Sequence, residues 1–123
     1  MNTTLWIVQL LLALAFVMAG LTKLTQPKEK LIKQMKWVED FEPNIIKGIG
    51  TLEALGAVGL ILPALTGFLP ILTPLAAVGL VLTMIGAILT HLRRKEPPMI
   101  AVNAILLVLA AFVAYGRFVL VPL

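Results

Sequence analysis

Glu53 is the clearest of the few side chains in this apolar sequence that could do chemistry, because it lies well inside the second apolar run. An ionisable group at membrane depth costs about 2.5 to 3.5 kcal/mol on insertion scales, so it normally faces protein or water and has a partner. Its helical neighbours Gly50, Gly56 and Ala57 predict a small-residue face that points inward. Two interpretations stay open: a proton-titrating or ligand-contacting carboxylate, or a buried structural partner for a lysine.

Three further polar residues are predicted to form one layer with Glu53. Lys23 ends the first apolar run, His91 ends the third and Asn103 lies near the start of the fourth. Because they share a depth, we expect Glu53 to pair with Lys23 or His91 across the bundle. A histidine at a helix C-terminus is also stabilised by the helix dipole, and for His91 this interpretation is favoured over ligand contact. His91 also ends a stripe of small residues at four-residue spacing: Gly79, Thr83 and Ala87.

A second polar layer is predicted at the other end of the helices, formed by Gln9, Tyr115 and Arg117. Gln9 shares a helix face with Lys23, and Arg117 shares one with Asn103. No carboxylate side chain is expected nearby. Arg117 either extends to lipid phosphate or binds an anionic or carbonyl-bearing ligand.

The elements that position these residues are membrane helices. Of the 123 residues, 60% are hydrophobic and 13% are charged, against about 25% charged in soluble domains. The four apolar runs, at about residues 5–21, 45–65, 70–92 and 99–121, can each cross a hydrocarbon core of about 30 Å. The sequence therefore predicts an all-α membrane protein, a four-transmembrane-helix antiparallel bundle forming a single domain over residues 1–123.

The connections between the predicted helices differ in character. Apolar residues at helical spacing among lysines predict an amphipathic interfacial helix over about 27–42, between the first and second spans; they are Leu31, Met35, Val38 and Phe41. A short uncharged hairpin loop is predicted between the second and third spans by Pro63, Gly67 and Pro70.

Lysine and arginine are concentrated in the first and third connections, with none in the second. Loops enriched in these residues normally face the cytoplasm. We therefore expect a multi-pass protein of the cytoplasmic membrane whose N- and C-termini both lie outside the cytoplasm.

Composition also excludes several kinds of site. The absence of cysteine excludes thiol chemistry, disulfides and iron–sulfur clusters in the chain, and a single histidine argues against a metal or bis-histidine haem site. The net charge of +4 does not indicate nucleic-acid binding, because the basic residues lie between apolar runs. A lipid bilayer is the expected partner.

The order of several short segments resembles the DoxX-like family of small four-helix membrane proteins. These segments are residues 19–24 at the end of the first span, 50–56 in the second, 87–91 closing the third, and Asn103 with residues 115–117 in the fourth. By matched position, the resemblance implies that the polar residues to suspect are Lys23, Glu53, His91, Asn103 and Arg117.

Some members of that family are membrane subunits associated with oxidoreductases, including thiosulfate to quinone electron transfer. The resemblance therefore implies an accessory or membrane subunit of a redox system, with a quinone or lipid-like ligand in the bundle and a soluble or membrane-bound oxidoreductase as partner. No catalytic constellation is complete in the chain, and homo-oligomerisation stays open. The alternatives are a proton-coupled exporter, although small multidrug transporters carry their membrane carboxylate in the first helix, and a purely structural assembly module.

Overall fold

The computed structural model describes all 123 residues, and the regular structure in it is helical throughout, as predicted. The α-helices are α1 (Asn2–Thr25), α2 (Lys28–Gln34), α3 (Pro43–Thr66), α4 (Leu72–Arg94) and α5 (Pro97–Tyr115), with a 3-10 helix at Lys36–Asp40 and a π-helical turn at Gly116–Leu120 that continues α5. Four helices are long and apolar enough to cross a membrane: α1, α3, α4, and α5 with its π-helical turn. The predicted four-helix membrane bundle is confirmed.

The four spans pack in the order α1, α3, α4, α5, and α5 returns to contact α1. Arg94 at the end of α4 hydrogen-bonds Glu39 and Asp40, so the first and third connections share one end of the bundle, here called the basic end. Arg117 hydrogen-bonds Asn2, so the two termini share the opposite end, here called the terminal end. The α3–α4 loop also lies at the terminal end.

Large apolar side chains cover the outside of the bundle as well as its core. Leu12, Phe16, Leu60 and Leu80 are fully buried between helices, while Leu residues on every span face outward. Such an exterior is stable only where hydrocarbon is the solvent, and helices suit that solvent because they satisfy their own backbone hydrogen bonds. The chain is a multi-pass integral membrane protein.

The connection between α1 and α3 is two short helices rather than the single predicted amphipathic helix. Backbone angles at Met35 (φ −133°, ψ 86°) break the helical path between α2 and the 3-10 helix. Because of this break, Val38 packs with Leu31 and Ile46 of α3 in a small apolar cluster, and Trp37 also turns toward the protein. The apolar side of the segment thus contacts the bundle.

Pro63 lies inside α3, not in the loop where the sequence placed it. Proline has no N–H, so the carbonyl of Gly59 four residues earlier loses its helical donor. The Thr73 hydroxyl of α4 donates to that carbonyl at 2.9 Å. α3 continues to Thr66 and ends at Gly67, whose left-handed backbone (φ 75°) suits glycine.

Candidate functional site

The closest approach of α1 and α3 is made by two glycines, Gly20 and Gly50. A Cβ atom added to Gly20 would lie 2.6 Å from the Gly50 carbonyl oxygen, and one added to Gly50 would lie 2.8 Å from that of Gly20. Only glycine permits backbones to come this near. Lys23 and Glu53 stand one turn further along their helices, so the crossing brings these two side chains together.

The Lys23 ammonium donates to Glu53 at 2.6 Å, and both side chains are buried. The predicted partnership of Glu53 with a lysine across the bundle is confirmed. In a medium of low dielectric constant, neither charge is tolerable alone, but the pair is neutral. The Lys23 ammonium also lies 5.9 Å from the ring centroid of Trp37.

His91, the other predicted partner of Glu53, does not pair with it. Its Nδ1 donates to Glu96 at 2.8 Å instead. The chain reaches this position because Lys95 adopts left-handed backbone (φ 58°) directly after α4. The hydrogen bond from His91, aided by the nearby Arg94 guanidinium, lowers the pKa of the Glu96 carboxyl below its ordinary value. With Nδ1 occupied, Nε2 is the His91 nitrogen left free for a ligand.

Arg94 fastens the 3-10 helix to the end of α4. Its two terminal nitrogens donate to Asp40 at 2.7 Å and to Glu39 at 2.9 Å. Trp37 of the same 3-10 helix lies edge-on to His91, with ring centroids 6.5 Å apart. These contacts were not predicted from the sequence, although the acidic pair Glu39 and Asp40 within a basic connection could have indicated them.

A large cavity of about 1170 Å³ lies between the spans and beneath the 3-10 helix. Of its 32 lining residues, 21 are hydrophobic, and its charged or strongly polar members are those of the predicted inner layer: Lys23, Glu53, His91 and Asn103. Asn103 is only 7% exposed, and its Nδ2 has no hydrogen-bond partner. A buried amide without a partner costs free energy, so Asn103 is the residue of this layer that most needs a ligand.

The small-residue stripe of α4 borders this cavity. Gly79, Thr83 and Ala87 all line it, and a Cβ atom added to Gly79 would meet nothing within 4 Å. The cavity also reaches the outer surface between α3 and α4, since its lining includes Leu52 (61% exposed) and Leu82 (64% exposed). It is therefore open to the surrounding lipid.

At the terminal end, Arg117 and Gln9 form the predicted second layer. The Arg117 Nε donates to Gln9 Oε1 at 2.7 Å, and Gln9 in turn donates to the Leu60 carbonyl at 2.7 Å. Arg117 is only 2% exposed, so its side chain points into the protein and does not extend outward along the surface of the bundle. Tyr115 does not join the layer, because its side chain is 56% exposed on the outside of the bundle.

Two residues that the sequence did not single out complete this layer. The Arg117 Nη1 donates to Asn2 at 2.8 Å and to the Val121 carbonyl at 3.1 Å, and the guanidinium lies 5.8 Å from the Trp6 ring centroid. Asn2 and Trp6 lie in the first turns of α1, where a polar or aromatic residue normally indicates the membrane surface.

Most of the chain matches the model of one known family. The family model described as the DoxX-like family matches residues 7–113, which include α3, α4 and most of α1 and α5. No curated protein and no solved structure matches the chain significantly. On the extent of the family match, the chain belongs to the DoxX-like family.

Proposed function

We propose that this protein binds a lipid-like molecule with a carbonyl or quinone oxygen in the cavity between its spans. The observation that carries the proposal is the unpartnered Asn103 amide on the wall of a large apolar cavity. Small-molecule sites are typically cavities of about 300–1,000 Å³ with apolar walls and a few polar groups that fix orientation. A volume of about 1170 Å³ accommodates a head group with part of a chain.

The polar groups of the cavity suit an oxygen-bearing head group. Asn103 Nδ2 donates to a carbonyl oxygen, and its Oδ1 accepts from a hydroxyl. His91 has Nδ1 committed to Glu96, so its Nε2 accepts from a hydroxyl when the ring is neutral and donates when it is protonated. These groups therefore suit a quinone and its quinol equally, while Lys23 and Glu53 neutralise one another nearby.

The redox role rests on the resemblance to DoxX-like membrane subunits of oxidoreductases. The chain supplies no thiol for electron transfer. In this proposal it holds the quinone or lipid for a partner oxidoreductase, which supplies the electrons. The basic end faces the cytoplasm, because the lysine-rich and arginine-rich connections lie there, and the termini lie on the opposite side of the cytoplasmic membrane.

Ligand retention in matched variants tests the proposal. The full chain is extracted in a mild detergent and its bound molecules are measured by native mass spectrometry, then by titration with a decyl-substituted benzoquinone and, separately, a diacylglycerol. We expect Asn103→Leu to weaken binding by about tenfold or more, equivalent to the loss of one buried hydrogen bond, without loss of folded protein. Gly79→Leu fills the cavity and has the same effect on binding.

Gly48→Leu is the matched control, since a Cβ atom there also meets nothing within 4 Å but Gly48 does not border the cavity. It should bind as the unmodified protein does. Absence of any retained molecule and of binding to both probes contradicts the proposal, as does equal weakening by Gly48→Leu and Gly79→Leu. Binding of the diacylglycerol but not of the benzoquinone would support a lipid ligand and contradict a quinone ligand.

A further inference from the structure

Arg117 carries a charge inside the last span that no protein group neutralises. Its partners Gln9, Asn2 and the Val121 carbonyl are all neutral acceptors, and no carboxylate lies within ion-pair distance. Its Nη2 is buried and has no hydrogen-bond partner. A buried guanidinium with an unused donor is costly in hydrocarbon, so a negatively charged group beside it would be strongly stabilised.

The chain has no acidic side chain able to reach this position. All six of its aspartates and glutamates lie in the half of the molecule at the basic end: Glu29, Glu39, Asp40, Glu42, Glu53 and Glu96. The C-terminal carboxylate of Leu123 also lies at the terminal end, but it forms no ion pair with Arg117. We therefore expect the compensating anion to come from another molecule.

A pocket of about 260 Å³ lies beside Arg117 at the terminal end. It is bordered by Phe118 and by the α3–α4 loop, including Pro70 and Ile71. None of its lining residues borders the large cavity, so the two are separate. Arg117 lies near the end of its span with Trp6 close by, which places the pocket near head-group depth.

We propose that this pocket binds the oxyanion of an acyl-chain lipid, with Arg117 as its counter-charge. The oxyanion is the phosphate of a phospholipid or the carboxylate of a fatty acid in the leaflet at the terminal end. Guanidinium forms charge-assisted hydrogen bonds with both groups, and Arg117 is the only charged side chain that lines the pocket. This site is distinct from the cavity of the proposed function and takes a charged rather than a neutral ligand.

Titration of the delipidated full chain tests the site. The protein in a neutral maltoside detergent is titrated with phosphatidylglycerol, oleate or uncharged diacylglycerol, and stoichiometry and affinity are read by native mass spectrometry. We expect one of the two anions to bind one to one at this site. Arg117→Gln and Ile71→Trp, which fills the pocket without changing charge, each weaken this binding by about tenfold or more, as expected for loss of a charge-assisted contact.

Arg93→Gln is the matched control, because it removes the same charge from an exposed position at the basic end. It should leave the affinity unchanged. Preference for phosphatidylglycerol identifies a phospholipid, and preference for oleate identifies a fatty acid. If Arg117→Gln does not fold, the affinities of Ile71→Trp and Arg93→Gln for the anions are compared to decide whether the pocket is the binding site. Failure of both anions to bind, unchanged affinity in Ile71→Trp, or equal weakening by Arg93→Gln overturns the proposal.

Discussion

The two ends of this bundle surround their basic side chains with different partners. At the basic end, Lys23, His91 and Arg94 each contact a carboxylate of the same chain. At the terminal end, Arg117 is buried, yet its hydrogen-bond acceptors are all amide and carbonyl oxygens. Carboxylates of the chain therefore neutralise these basic side chains at the basic end, whereas no carboxylate neutralises Arg117 at the terminal end.

This difference distinguishes polar groups that have a partner within the chain from polar groups that lack one and could bind a ligand. The paired charges of the basic end stabilise one another, so their presence beside the cavity does not by itself require a ligand. Three buried side-chain nitrogens have no hydrogen-bond partner, on Arg94, Asn103 and Arg117. Arg94 Nε still lies 3.3 Å from the Glu96 carboxylate, whereas Asn103 and Arg117 have no such carboxylate and border the two separate cavities. Removing a paired group should therefore cost stability, whereas removing Asn103 should chiefly cost binding.

The largest effect should come from breaking the Lys23–Glu53 pair. Glu53→Gln leaves Lys23 buried without a counter-charge, and we expect unfolding free energy in detergent to fall by about 3 kcal/mol or more. The double change Lys23→Met with Glu53→Gln should recover much of that loss, because no buried charge remains. A single variant as stable as the unmodified protein, measured by chemical unfolding, would show that the basic end does not depend on this pair.

A smaller effect is expected at the terminal end from Gln9→Leu. This change removes the acceptor of Arg117 Nε and the donor to the Leu60 carbonyl, and should cost about 1–3 kcal/mol in the same unfolding measurement. Gln34→Leu, at an exposed position, serves as control and should stay within about 0.5 kcal/mol. Equal losses in the two variants would contradict the interpretation that Gln9 stabilises Arg117.

The smallest effect should appear as a pH dependence at the basic end. The pKa of Glu96 is lowered by its hydrogen bond from His91, so folding favours its ionised form. Its contribution is complete above the ordinary carboxyl pKa and is lost as pH falls through the lowered pKa. Thermal unfolding measured across the acidic range should therefore show a destabilisation that Glu96→Gln reduces. An unchanged pH profile in that variant would exclude Glu96 as its source.

The depth of the polar layers could be predicted because span length fixes the position of each residue across the membrane. Depth places Lys23 and Glu53 in one layer, and depth together with helix-face spacing places Arg117 and Gln9 in another. The choice between Lys23 and His91 as partner of Glu53 was not predictable, since it depends on the Gly20–Gly50 crossing. Spacing does not reveal which face of one helix meets which face of another.

Other features depended on backbone details that a sequence pattern does not contain. His91 reaches Glu96 only through the left-handed turn at Lys95. Pro63 was assigned to a loop because proline breaks helices in water, but a membrane helix keeps it when a neighbour such as Thr73 supplies the missing donor. The cavity volume likewise arises from how the spans diverge, which composition cannot specify.

The opening of the large cavity between α3 and α4 would let the proposed ligand enter directly from the lipid. A molecule that dissolves in hydrocarbon arrives by two-dimensional diffusion and is already concentrated in the phase from which it enters. Its occupancy then depends on its mole fraction among the lipids and not on its scarce aqueous fraction. A modest intrinsic affinity would then be enough to keep such a site filled.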